Sequence, residues 1–229
     1  MQKRIVVLTG AGISAESGIS TFRDSGGLWE QHDIRDVATP GGYARNPELV
    51  LEFYNQRRRQ LKKANPNAGH RALCDLEGGY RVDIVTQNVD DLHERAGSTR
   101  VLHLHGELRK ARSSIDPELV YDLDWKDIRL GETCELGGQL RPHIVWFGEP
   151  VPMMLDAARL ASRADIFMVV GTSLAVYPAA SLVHEVPVGT PMYVVDPAAP
   201  EIRRPGVITY REKAGDRLPK LVRELLDLL

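Results

Sequence analysis

Cysteine is nearly missing from this chain: there are two, Cys74 and Cys134, among 229 residues. Two thiols cannot build the disulfide framework of a small secreted domain. A reducing compartment, the cytoplasm, is the expected location. Long apolar runs are missing too, and none approaches the roughly 20 residues that a membrane-spanning helix needs. The opening "MQKRIVVLTG" has an apolar segment too short for a secretory signal, and it runs straight into glycine. No surplus of one charge exists: 29 Lys and Arg stand against 31 Asp and Glu, leaving −2. Nothing global therefore draws the chain to nucleic acid or to a membrane surface. Internal repeats and low-complexity tracts are absent. What remains is an ordinary globular chain, long enough to bury a sizeable core.

Short β-branched runs recur between helical patterns. "RIVVLTG" (4–10), "VDIVTQ" (82–87), "VLHLHG" (101–106), "DIFMVVGTS" (165–173), "PMYVVD" (191–196) and "VITY" (207–210) read as strands. Their continuous apolar character suits strands buried on both faces, hence a parallel sheet covered by helices. The expected fold is α/β and doubly wound. "DRLPKLVRELLDLL" reads as an amphipathic closing helix.

Two stretches interrupt the alternation. In residues 25–66 a loop leads into a basic helix, with Asn46 as N-cap, Pro47 in its first turn and "NPN" (65–67) ending it. Residues 108–141 are polar and read as irregular. Both are expected to form a small module inserted beside a main domain of residues 1–24, 67–107 and 142–229.

"LTGAGISAESGIS" follows the first strand directly. Gly10, Gly12 and Ala15 spell G-x-G-x-x-A, the dinucleotide fingerprint in its alanine form. Glycine lets backbone approach a pyrophosphate, and the helix behind it aims N–H groups and dipole at the charge. Candidates for the acidic partner expected ~20 residues on are Asp33 and Asp36, both inside the first insertion.

Further motifs fall at strand ends, where open α/β sheets bind ligands. They are "TQNVDDLH" (86–93), "HLHG" (103–106) and "GTSLAVYP" (171–178). Together with "GAGIS", "FRD" (22–24) and "PHIVWFGEP" (142–150), they resemble the sirtuin family of NAD-dependent protein deacylases along nearly the whole chain. The resemblance implies a Rossmann-like NAD domain, with acyl-lysine and NAD meeting in a cleft beside the small module. It also implies a chemistry. The acyl amide oxygen attacks the ribose carbon bearing nicotinamide, a base activates a ribose hydroxyl, and free lysine, nicotinamide and O-acyl-ADP-ribose result.

By the same resemblance His105 is the base and Asn88 works beside it, while His103 keeps a structural reading. A histidine suits the task because its ordinary pKa lies near operating pH. Gly10, Ala11, Gly12, Ile13 and Ala15 would form the phosphate loop. Gln87, Asn88 and Asp90 would meet the ribose and the carboxamide. Phe22, Arg23 and Asp24 would close over NAD, with Gly171, Thr172 and Ser173 as a second cofactor loop. Asp196 stands where the family usually has asparagine; it can accept from the adenosine ribose and would repel a 2′-phosphate. Val145, Phe147, Gly148 and Glu149 resemble the segment along which substrate peptide adds as a strand. The partner is acylated lysine in proteins or peptides, and the chain is expected to act as a monomer.

The basic helix "ELVLEFYNQRRRQLKK" carries a further signal. Tyr54 and Arg57 are three apart and share a face, bordering an apolar stripe of Leu49, Val50, Phe53 and Leu61. Arg58, Arg59, Lys62 and Lys63 are expected to be solvated. The Tyr-x-x-Arg pattern resembles that of sirtuins removing succinyl and malonyl groups, where the pair holds the acyl carboxylate. Ala38, a small residue, would widen the pocket. Without the resemblance, a salt bridge from Arg57 to a nearby acid is the better reading.

One family feature is missing. Most sirtuins carry two C-x-x-C pairs that bind zinc. Here "ARSSIDP" has no cysteine, and "GETCELGGQLRP" has Cys134 with Gly131 in its partner's place. No zinc is expected, and the module must be held by packing of Leu119, Val120, Tyr121, Leu123, Trp125 and Ile128. Two other readings stand beside the deacylase: an NAD hydrolase or ADP-ribosyltransferase on this fold, and a non-catalytic NAD-binding module.

Overall fold

The structure is a computed structural model that describes residues 2–20 and 32–229. The expected loop residues Phe22, Arg23 and Asp24 lie outside the described residues. Six parallel strands form the main sheet: β1 (Arg4–Thr9), β2 (Arg81–Thr86), β3 (Val101–His103), β7 (Ile166–Val170), β8 (Met192–Val195) and β9 (Val207–Tyr210). Their spatial order is β3-β2-β1-β7-β8-β9, all parallel. This is the Rossmann order, with its switch point between β1 and β7.

Strand alternation sends consecutive residues to opposite faces, and both faces are covered. Ile5, Val7, Ile84, Met168 and Val170 pack on one side with Leu73 of α5 (Ala68–Asp75) and with Leu218 and Leu221 of α9 (Ala214–Leu226). Val6, Leu8, Val85, Phe167 and Val169 pack on the other with Ala157 and Ala161 of α7 (Met154–Ala161) and with Leu182 of α8 (Leu182–Glu185). Two-sided burial explains why these strands read as continuous apolar runs.

Residues 108–141 are not irregular. They contribute most of a three-stranded antiparallel sheet, ordered β5-β4-β6, of β4 (Gly106–Ser113), β5 (Val120–Asp122) and β6 (Leu140–Ile144). Polar outer residues hide its alternation: in β4 only Gly106, Leu108, Ala111 and Ser113 are buried. Of the packing residues expected in the module, Leu123 and Ile128 are buried with Leu51 and Ala111, and Trp125 is partly buried, but Val120 is exposed.

The basic helix, α4 (Pro47–Lys63), starts and stops as its sequence suggests. The Asn46 side chain accepts from Leu49 N–H at 3.1 Å, and Glu48 and Lys62/Lys63 complement the dipole at its two ends. Its faces differ from expectation at three residues. Leu49 is 39% exposed, whereas Leu51 is buried toward the small sheet. Arg58, expected in solvent, is fully buried: Nε donates to Leu108 O at 2.7 Å and Nη1 to Asn55 Oδ1 at 2.8 Å. Asn55 in turn grips Ile128, accepting from its N–H and donating to its C=O, each at 2.9 Å. These contacts fasten the helix to the antiparallel sheet.

Candidate active site

A cleft of about 320 Å³ opens at the carboxyl ends of β1, β2, β7 and β8, beneath α4 and beside β6. It lies at the switch point, where the sheet geometry places ligands. Gly10, Ala11, Gly12, Gln87, Asn88, His105, Gly171, Thr172, Ser173 and Asp196 line one part. Ala38, Tyr54, Arg57, Val145, Phe147, Gly148 and Glu149 line the other. Ile13, Ala15 and Asp90 do not line it: Ile13 is in the core, Ala15 is exposed, and Asp90 lies behind the wall.

The glycines have a reason beyond ligand approach. A Cβ on Gly10 would sit 2.7 Å from Gly171 O, and one on Gly12 would sit 2.8 Å from Gly171 Cα. Gly171 itself has φ +62°, and its Cβ would meet Ile13 N at 2.3 Å. The loops after β1 and β7 are pressed together, so no side chain fits between them at these positions. A dinucleotide fits the groove these loops leave: glycine backbone lies at the switch point, and the Asp196 carboxylate stands at the end of β8. Asp33 and Asp36, the other acidic candidates, are occupied elsewhere. Asp33 caps α2 (Ile34–Val37) and pairs with Arg35, and Asp36 pairs with Arg45.

The floor of the cleft is a hydrogen-bonded set that the sequence hid. Asn88 Nδ2 donates to Gly10 O at 3.0 Å and lies 3.1 Å from Ser14 Oγ. Ser14 Oγ–H donates to Asp90 Oδ2 at 2.9 Å, and Asp90 Oδ1 accepts from Leu92 N–H at the start of α6 (Leu92–Ala96). Burial raises the Asp90 carboxyl above its ordinary value, against these bonds. Ser14 was not foreseen; its signal is a small hydroxyl beside Ile13 on the inward face of the loop helix.

His105 donates from Nδ1 to Gln87 O at 3.0 Å. Burial holds its pKa below the usual value, so the ring is neutral at pH 7 with Nε2 free to take a proton. His103 is different. Its Nδ1 donates to Asn88 O at 3.1 Å and its Nε2 lies 2.7 Å from Glu94 Oε1. Burial opposes its charge, but Glu94 outweighs burial and raises its pKa. His103 is thus a structural ion-pair partner.

At the end of the cleft beneath α4, Tyr54 is 6% exposed, and Trp146 Nε1 donates to its hydroxyl oxygen at 3.0 Å. The Arg57 guanidinium lies over Phe53 with 5.0 Å from Cζ to the ring centroid, and among the described residues its buried Nε has no hydrogen-bond partner. Burial lowers its pKa to about 10, leaving it charged at pH 7. Among the described residues no carboxylate forms a salt bridge with it. Ala38 is buried, and its carbonyl accepts from Phe147 N–H at 2.9 Å.

The 145–149 segment is more occupied than expected. Val145 N–H goes to His105 O, Trp146 N–H to Glu149 Oε2, Phe147 N–H to Ala38 O and Glu149 N–H to Trp146 O. Glu149 also pairs with Arg141 at 2.7 Å and Arg112 at 3.1 Å. These four amides are thus taken within the protein. Trp146 and Arg141 were also not foreseen. The signal for Trp146 is period two: in an extended "VWF" it faces opposite to Val145 and Phe147.

Among the described residues, no group of three His, Cys, Asp or Glu side chains is placed to hold a metal ion. Cys134 is buried and its thiol lies 3.2 Å from Ser113 Oγ.

A Sir2 family profile matches residues 10–178. Over 225 residues, 96% of each chain, the sequence is 54% identical to an NAD-dependent protein deacylase of Helicobacter pylori. A mutant Sir2 homologue solved with ADP ribose is similar at a TM-score of 0.90 and 39% identity, covering 100% of this chain and 95% of that one. A Sir2–p53 peptide–NAD+ structure is similar at a TM-score of 0.79 and 29% identity, covering 97% and 93%. A profile that runs through both glycine loops and His105, and a relative identical at more than half of the aligned positions, show that this chain belongs to the Sir2 family.

Proposed function

We propose that this chain is a protein-lysine deacylase that uses NAD to remove succinyl and malonyl groups, and acetyl groups less efficiently. The coarser activity, NAD-dependent protein deacylation, is supported by its kinship. The preference for acidic acyl groups rests on one observation. Tyr54 and Arg57 present a buried hydroxyl and a partly buried guanidinium to the same cleft, and no acid pairs with the guanidinium among the described residues. A carboxylate matches that fork, and each charge-assisted hydrogen bond is worth about 1.5–3 kcal/mol.

Bound NAD supplies the ribose carbon and hydroxyls to which the acyl group passes. The chain's own residues do the rest. The two glycine loops leave room for the dinucleotide backbone, and Asp196 accepts from a ribose hydroxyl. Asn88 is locked by Gly10 and Ser14, and it orients the reacting end. His105, neutral and with Nε2 unprotonated, removes the ribose hydroxyl proton. Apolar walls from Phe53, Ile144 and Trp146 keep the acyl chain dry.

One peptide carrying acetyl-lysine or succinyl-lysine, with and without NAD, tests this by product mass. NAD-dependent loss of succinyl at the higher kcat/KM, with O-succinyl-ADP-ribose formed, is the expected result. Acetyl preferred over succinyl would return Arg57 to a structural role. NAD cleavage without deacylation would favour the hydrolase reading instead.

A further inference from the structure

Trp146 stands just past the end of β6 and is 2% exposed. Its indole N–H donates to the Tyr54 hydroxyl oxygen at 3.0 Å. An indole nitrogen donates and never accepts, whereas a phenol does both. In this contact the Tyr54 oxygen is therefore the acceptor, and the hydroxyl proton must be directed elsewhere. Among the described residues no acceptor takes that proton, although Tyr54 is nearly buried. Burial also raises the phenol's pKa, so it keeps the proton at any working pH.

Trp146 is itself held on several sides. The Arg141 guanidinium lies 3.3 Å from the indole centroid, and the Tyr43 ring packs at 5.1 Å. Arg141 is tied to Glu149 at 2.7 Å and to Ile144 O at 2.9 Å, and Glu149 accepts the Trp146 backbone N–H at 2.8 Å. The indole cannot swing away without breaking this set. Its N–H is a fixed donor aimed at one side of the phenol oxygen.

We propose that Trp146 is a positioning residue for acidic-acyl selectivity: its indole N–H occupies the Tyr54 oxygen, so that the phenol presents its proton to the acyl carboxylate beside Arg57. This deepens the acidic-acyl reading and rests on it. Without the N–H the hydroxyl rotates, and a phenol lone pair faces an anion for part of the time. A neutral acetyl tip has no charge to register the difference.

The test is a double-mutant cycle. Wild type, Tyr54→Phe, Trp146→Phe and the double variant are assayed on succinyl and acetyl forms of one peptide, with KM and kcat separated. The expected result is a rise of about tenfold in succinyl KM for Trp146→Phe, the worth of one hydrogen bond. Tyr54→Phe should then lose most of its effect on succinyl KM in the Trp146→Phe background. Replacement of Trp146 by benzothienylalanine, which keeps the indole shape and lacks the N–H, should behave the same way if Trp146→Phe fails to fold. Independent effects of the two substitutions, or equal losses on succinyl and acetyl, would overturn the proposal. A Tyr54→Phe variant with an unchanged succinyl-to-acetyl ratio would overturn the acidic-acyl reading itself, a separate and distinguishable failure.

Discussion

His105 donates its Nδ1 proton to the backbone carbonyl of Gln87 across 3.0 Å. A carbonyl only accepts, so this bond fixes the tautomer and leaves the lone pair on Nε2. Burial lowers the pKa, so protonation that silences the base occurs only below the ordinary histidine range. The midpoint of the acid limb of the kcat/KM profile should therefore lie below pH 6.5, with activity levelling off above it. His105→Asn should lose roughly 10²–10⁴-fold, the usual worth of a general base. An acid limb above pH 7 would contradict the assignment.

Arg57→Met should strip the acidic-acyl preference. Losing a charge-assisted bond of about 1.5–3 kcal/mol raises succinyl KM about 10- to 100-fold. The acetyl KM should change far less, because an acetyl methyl makes no such bond. Parallel losses on both peptides would show that Arg57 supports the helix rather than the substrate.

Stability should fall as the medium is acidified from pH 7 to pH 5. His70 and His93 meet edge to face at 4.9 Å between centroids, both fully buried, and among the described residues His70 Nε2 and His93 Nδ1 have no hydrogen-bond partner. Burial lowers His70 to about 4 and lowers His93 well below its ordinary value. Below pH 6.5 the unfolded chain takes up protons that the native pair refuses, so unfolding gains ground with each step down. For His70 alone the full effect is roughly 3 kcal/mol. His103, raised by Glu94, runs the other way: its contribution is present at low pH and is lost as pH rises through its folded pKa. Denaturant midpoints of wild type and a His70→Gln variant between pH 5 and 8 measure this; the variant's curve should be flatter.

Glu149→Ala should destabilise the fold by about 3–5 kcal/mol, because it strands two mostly buried guanidiniums. Arg112→Ala should cost less, since Arg141 still neutralises the carboxylate. A denaturant titration that ranks them in reverse order would show that Arg112, not Arg141, is the main partner.

The small module should not depend on metal. Chelator treatment is expected to leave the melting temperature unchanged, and elemental analysis to find no stoichiometric zinc. Asn55→Ala, by contrast, should cost about 2–3 kcal/mol, because it leaves the buried Ile128 N–H and C=O unpaired. A melting temperature that drops with chelator alone would refute the first half.

The main sheet was legible because its strands are buried on both faces, so burial left an unbroken apolar record at 4–10, 165–173 and 191–196. The site loops were legible because glycine and short polar residues at strand ends form an ordered set of motifs. The antiparallel sheet was not legible. Its solvent side is polar and its turns are ordinary, so only a few alternating residues, such as Leu108 and Ala111, face inward.

Arg58 shows the limit most clearly. By sequence it is one of a run of cations, and a charged run usually faces water. Its burial depends on Leu108 O being within reach, which only the packing of α4 against β4 decides, while Asn55 Oδ1 is supplied from one turn earlier on α4. The sequence by itself determined the doubly wound sheet, the glycine loops and the helical spacing of Tyr54 and Arg57, because each follows from local periodicity or backbone freedom; His105 was marked out by the family resemblance of its motif. The tertiary structure decided which nitrogen of His105 is free, which side of the Tyr54 oxygen is taken, and what holds the module. Those are properties of hydrogen bonds between residues 18, 92 and 73 positions apart, and no local pattern records them.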